Sequence, residues 1–161
     1  MISDKHQVDY SLLTPIMVED SEFSIAFQEK SFPYNSRNSQ IVRYILGRIE
    51  HFKGSSLDVQ YDDENASVEH ILPQKYENEE WDIDDEKASR LMWRLGNTCL
   101  LERKLNRDIK NGSFSEKKAV YAQSSYYYAR KIAEDIQNWN EGAIVKQQKE
   151  MAKAAVSIWK I

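Results

Sequence analysis

A chain of 161 residues suits one domain, long enough to bury a core without covalent staples. Its one cysteine, Cys99, excludes an internal disulfide and a multi-thiolate zinc site. No apolar run approaches the roughly 20 residues of a membrane span, and the N-terminal stretch lacks the apolar core of a secretory signal, so a cytoplasmic protein is expected.

The net charge of -4 argues against a polyanionic partner only until its distribution is read. From Asp58 to Arg90 there are 12 acids against 3 bases. From Asn97 to Lys131 there are 8 bases (Arg103, Lys104, Arg107, Lys110, Lys117, Lys118, Arg130, Lys131) against 3 acids (Glu102, Asp108, Glu116). Such a basic segment is either a solvated helix face or a patch that attracts phosphates.

In chain order, residues 1–22 show no clear period and read as an N-terminal arm to a single helical domain over 23–161. Phe23 to Gln28 predicts a short helix, ended near the turn residues Pro33 and Asn35. Ile41, Ile45, Ile49 and Phe52 recur at helical spacing, with Ser36 or Asn38 as N-cap and Gly54 just past the end. A polar, acidic stretch then leads into the β-capable "ASVEHI", closed by Pro73, which predicts a short strand or extended segment carrying Glu69 and His70 towards its end.

Asp84 to Gly96 returns to helical spacing through Ala88, Leu91, Met92 and Leu95, with an Asp cap and a Gly stop. "NTCLLE" is β-like and brief, and "RKLNRDIK" is a short basic helix or turn. Ser113 and Glu116 have capping-box spacing and open a long helix whose stripe runs Tyr121, Tyr128, Ile132, Ile136 and Trp139. A last helix starts near Asn140 and carries Ile144, Met151, Ala155 and Ile158.

Within "SVEHILPQKY", His70 has two readings: a packed histidine among Val68, Ile71 and Leu72, or a chemical group. The residues around it form an ordered set. E-H-I-L-P-Q is followed by G-N-x-x-L-L, and then by an Asn nine residues after the first, Asn97 and Asn106. That order resembles the ββα-metal nucleases, also called His-Me finger or HNH nucleases. With the intervening Trp and the "NGSFSEKKAVY" segment, the chain from about Arg43 to Trp159 resembles the C-terminal nuclease domain of GmrSD-type modification-dependent restriction endonucleases.

The resemblance implies a mainly α fold with a small ββα-metal (HNH) finger at about residues 65–110, its helices flanking a short β-hairpin-like insertion. It implies a metal-dependent DNA endonuclease of a restriction or phage-defence system, acting on modified or plain DNA. An upstream nucleotide-hydrolysing sensor domain or subunit is its implied partner. His70 then takes the role of general base, for which a neutral imidazole of pKa near ~6.5 is suited. Glu69 and Asn106 supply oxygens to one Mg²⁺ or Mn²⁺, which neutralises charge developing on the leaving 3′-oxygen.

Asn97 braces the loop that orients His70, although by spacing alone it is equally an Asn cap after Gly96. Lys117, in "FSEK", matches the family's lysine and contacts a phosphate, or is a solvated lysine. Arg103, Lys104 and Arg107 flank the metal helix and form a group of DNA-phosphate candidates.

Two departures from the pattern stand out: Glu69 where Asp is commoner, and Gln147 where an Arg is expected. Adjacent strand residues point to opposite faces, so the strand must end or twist for Glu69 and His70 to share a site. The competing function is a non-catalytic nucleic-acid-binding or interaction domain that retains the HNH scaffold.

Overall fold

The computed structural model describes residues 17–54, 64–75, 81 and 83–160. Seven α-helices and one two-stranded antiparallel sheet occur among the described residues. They are α1 (Asp20–Glu29), α2 (Ser36–Phe52), β1 (Ala66–His70), α3 (Asp85–Leu91), β2 (Thr98–Glu102), α4 (Arg103–Ile109), α5 (Phe114–Tyr121), α6 (Tyr127–Asp135) and α7 (Glu141–Ile158).

The first helix begins at Asp20, inside the stretch read as an arm, with Asp20 and Glu22 favourably placed in its first turn. Residues 1–16, and the 55–63 and 76–80 parts of the acidic stretch, lie outside the described residues. The second helix starts one residue earlier than expected, because the Asn35 side chain accepts the Asn38 N–H at 2.8 Å. Its buried stripe is Val42, Leu46 and Ile49. Ile41 and Ile45 instead face an apolar groove that they share with Phe23, Phe27 and Trp159.

The two strands pair over their whole length, from Ala66 opposite Glu102 to His70 opposite Thr98. α4 follows β2 without a break and packs on both strands. Leu105 and Ile109 turn inward, while Arg103, Lys104 and Arg107 stay exposed. α7 runs beneath α1, α2 and the 3-10 turn Leu95–Asn97.

Two expected elements differ. α3 ends at Leu91, so Gly96 stops no helix. Its role is close approach: a Cβ there would lie 2.3 Å from the Ile144 carbonyl oxygen on α7. The long helix opened by Ser113 is two helices. The capping box is present in both directions, but α5 stops at Tyr121. The break is held from outside by two distant acids. Glu102 accepts the Ser124 hydroxyl at 2.8 Å and the Ser125 N–H at 2.7 Å, and Glu50 accepts the Tyr127 and Tyr128 N–H groups at 2.6 and 2.9 Å.

Among the described residues no helix is long and apolar enough to cross a membrane. The core is one cluster that takes in Leu46, Ile71, Leu100, Ile132, Ile144 and Met151.

Candidate active site

β1 is regular through His70, so its pleat sends Glu69 and His70 to opposite sides. The expected end or twist between them does not occur. Glu69 meets α5: its Oε1 accepts from the Lys117 ammonium at 2.6 Å and from the Tyr121 hydroxyl at 2.8 Å. Lys117 Nζ also donates to the His70 carbonyl oxygen at 2.9 Å. Burial pushes Glu69 above the ordinary carboxylate value, against the pull of Lys117 and of its hydrogen bonds. Burial and the neighbouring Glu69 push Tyr121 well up, so it remains a phenol that donates.

Lys117 is therefore neither the solvated lysine nor the phosphate contact considered from sequence, since its side chain is 0% exposed. The capping box sets the phase of α5, and Lys117 and Tyr121, four residues apart, share the face turned to β1.

His70 faces a cleft of about 250 Å³ walled by α2, β1 and the segment around Trp93. The Trp93 ring meets the imidazole edge-on at 5.6 Å between centroids, which restricts its rotation. Burial first, and the Lys117 charge second, push the His70 pKa from 6.5 down to about 4. At neutral pH the imidazole is uncharged and keeps a lone pair for a proton. Arg43 from α2 also lines the cleft, and no carboxylate does among its described lining residues.

Asn97 fixes the chain just beyond His70. Fully buried, it accepts through Oδ1 from the Leu72 N–H and the Trp139 indole N–H, both at 2.9 Å. Its Nδ2 donates to the Leu72 carbonyl at 2.9 Å and the Met92 carbonyl at 3.0 Å. All four hydrogen-bonding positions of the amide are filled. Its own carbonyl takes the Ile71 N–H at 3.0 Å. Asn97 thus ties Ile71 and Leu72 to the turn before β2, and its side chain caps no helix. The indole of Trp139, read from sequence as one member of an apolar stripe, supplies a donor that periodicity does not reveal.

Asn106, on α4, donates to the Ser67 hydroxyl at 2.9 Å. It lies by the strand that carries Glu69, but the two residues as folded do not fit a divalent ion. A hard cation needs an anionic oxygen open to it and to its waters. Glu69 is buried, and the oxygen that its side-chain donors share already faces an ammonium. Among the described residues no three or more His, Cys, Asp or Glu converge on a metal position.

Arg103, Lys104 and Arg107 form an exposed basic face on α4 and do not line the His70 cleft. Gln147, at the position expected to hold an Arg, is buried and donates to the Thr98 carbonyl at 3.1 Å, opposite His70 in the ladder.

The family model described as the C-terminal domain of GmrSD restriction endonucleases matches residues 17–154. That span holds both strands, the cleft and the Glu69–Lys117 pair. No curated protein matches the chain.

Proposed function

The chain belongs to the family of GmrSD restriction endonuclease C-terminal domains, and from that membership we propose that it is an HNH-type DNA endonuclease in which His70 activates water against a phosphodiester. One observation carries this reading: an uncharged imidazole lines a cleft with no acid among its described lining residues, and the backbone just after it is clamped by Asn97.

In the proposed step, a water oxygen bonds to phosphorus, its proton passes to the imidazole, and the P–O3′ bond breaks. A pKa near 4 keeps the base unprotonated but makes it a weak one. A phosphodiester arriving in the cleft brings negative charge, which raises the imidazole pKa towards the working pH.

Kinship with nucleases suggests dependence on a divalent metal, and we infer one Mg²⁺ or Mn²⁺. The Glu69 and Asn106 side chains as they stand do not fit that ion, so its ligands are left unassigned. The exposed α4 arginines and Lys104 are proposed to hold flanking backbone outside the cleft. Recognition of a DNA modification is assigned to an upstream domain or subunit, within a cytoplasmic restriction system.

The test is nicking of supercoiled plasmid with Mg²⁺ or Mn²⁺. His70→Ala should lose about 10²- to 10⁴-fold in rate with its DNA affinity nearly unchanged. Excess chelator should abolish the wild-type activity. A variant that cuts at the wild-type rate would make His70 structural and leave a binding domain.

A further inference from the structure

Three aromatic side chains besides the imidazole line the His70 cleft: Phe32, Tyr34 and Trp93. A local pairing brings them together. The Phe32 N–H donates to the Trp93 carbonyl at 2.8 Å, next to the bridge between Ser31 and Arg94, and Tyr34 follows Phe32 by two residues. Tyr34 is 71% exposed and Trp93 half-buried. Among the described residues the only ring that Trp93 meets is the His70 imidazole, and Tyr34 meets none. A single exposed aromatic is ordinary, but several converging on one cavity mark a binding surface.

The rest of the described lining is of two kinds. Buried Val42 and Leu95 add apolar surface, while Ser39 and Gln74 offer a hydroxyl and an amide. At about 250 Å³ the cleft falls below the roughly 300–1,000 Å³ of pockets for drug-sized molecules. It suits one flat ring system with apolar faces and a hydrogen-bonding edge. A nucleobase is such a group, and aromatic side chains take any of the bases because every base has a π-face. In a paired duplex those faces are covered by neighbouring bases. A base enters such a cleft only by leaving the stack, at a cost that is least where it is mismatched or single-stranded.

We propose that the aromatic lining is a nucleobase subsite: the cleft takes one unstacked base of the strand being cut, its face on Trp93 with Tyr34 beside it, and so selects DNA that is unpaired at the scissile step. The proposal rests on the reading of the His70 cleft as the active site. The Trp93 and His70 ring centroids are 5.6 Å apart. One sugar links a base to its own phosphate, so a base on Trp93 brings its phosphodiester to the imidazole. The basic residues of α4, outside the cleft, supply affinity for paired DNA whether or not a base is unstacked.

The test uses three duplexes that differ at one central nucleotide, which is paired, mismatched or abasic. Their binding to wild type, Trp93→Ala, Trp93→Phe and Tyr34→Ala is measured in Ca²⁺, and nicking with Mn²⁺ is followed alongside. The mismatched and abasic duplexes are both locally unpaired, but only the first has a base to stack. Wild type should bind the mismatched duplex about 5- to 150-fold more tightly than the abasic one, the range for one base on an aromatic side chain. Trp93→Ala should bring that ratio near 1 with affinity for the paired duplex unchanged. Trp93→Phe should keep most of the ratio, and Tyr34→Ala should lower it a few-fold.

Equal binding of the mismatched and abasic duplexes by wild type would overturn the proposal. So would a wild-type ratio in folded Trp93→Ala, even with nicking lost, since Trp93 would then only position His70. If Trp93→Ala does not fold, Tyr34→Ala, altered at an exposed position, carries the test, and an unchanged ratio there overturns the proposal. A wild type that fails to nick, or a His70→Ala that nicks as well, defeats the reading of His70 separately, because the binding ratio is read without any cutting.

Discussion

Two buried glutamates, Glu50 and Glu69, are 1% and 4% exposed, and burial pushes the pKa of each above the ordinary carboxylate value. Their partners differ in kind. Glu50 uses both oxygens to accept backbone N–H groups, at Tyr127 and Tyr128, in the first turn of a helix whose own N-cap residue supplies no side-chain bond. It acts as a cap reaching in from α2, its charge set against the positive end of α6. Glu69 gathers its two side-chain donors, an ammonium and a phenol, on one oxygen. A carboxylate held by backbone cannot change partners without unravelling a helix turn. One held by side chains can change partners after a rotamer change.

The largest expected effect separates the two. Lys117→Met leaves the Glu69 charge buried and unpaired, and should cost about 3–5 kcal/mol in urea unfolding. Adding Glu69→Gln to it should recover much of that loss, because the burden is the orphaned charge. No such rescue is expected at Glu50, whose partners are peptide groups. If the double variant is no more stable than Lys117→Met, Glu69 is as fixed as Glu50 and the contrast fails.

Next in size is Glu50→Gln. The amide presents one acceptor and one donor to two N–H groups, so one buried bond becomes a clash. A loss of about 2 kcal/mol is expected, within the range for hydrogen bonds to charged groups. Hydrogen exchange locates it: the Tyr127 and Tyr128 amides should exchange faster than those of α2. Uniform acceleration across the chain would mean that Glu50 is no local cap.

A smaller effect sharpens the Glu69 side. If Lys117 competes with a divalent ion, the double variant Lys117→Gln, Tyr121→Phe should bind Mn²⁺ about tenfold more tightly than wild type, or roughly 1.4 kcal/mol. Calorimetry reads this without any activity. Equal or weaker binding would show that the ion takes its ligands elsewhere.

These contrasts explain what the chain's letters could and could not reveal. Periodicity and turn chemistry located α2, the two β segments, the capping box at Ser113 and the start of α7 near Asn140, because local spacing decides each of them. The break between α5 and α6 escaped, since its caps come from Glu50 and Glu102, far away in sequence. Gly96 misled for the same reason, as the backbone that it accommodates belongs to α7. Lys117 read as solvated because lysines are almost never fully buried, and its partner lies 48 residues earlier. The link between His70, Asn97 and Asn106 came from the family pattern and not from periodicity.

The smallest effect is a pH dependence with a defined sign. Glu50 has its folded pKa raised above the ordinary 4.5, so the folded state binds its proton more tightly than the unfolded chain does. Its stabilising contribution is full below about pH 4.5 and is lost as pH rises through the raised folded value. His70 runs the other way: depressed from 6.5 to about 4, it contributes above 6.5 and loses that contribution as pH falls towards 4. The wild-type curve therefore mixes two opposing slopes over overlapping ranges. Subtracting the curve of Glu50→Gln removes the His70 term, which both proteins share. The remaining difference should decline as pH rises from 4.5, wild type losing its advantage. A difference that grows with pH would mean that backbone donors outweigh burial at Glu50 and hold its folded pKa down, placing it among ordinary ionised caps.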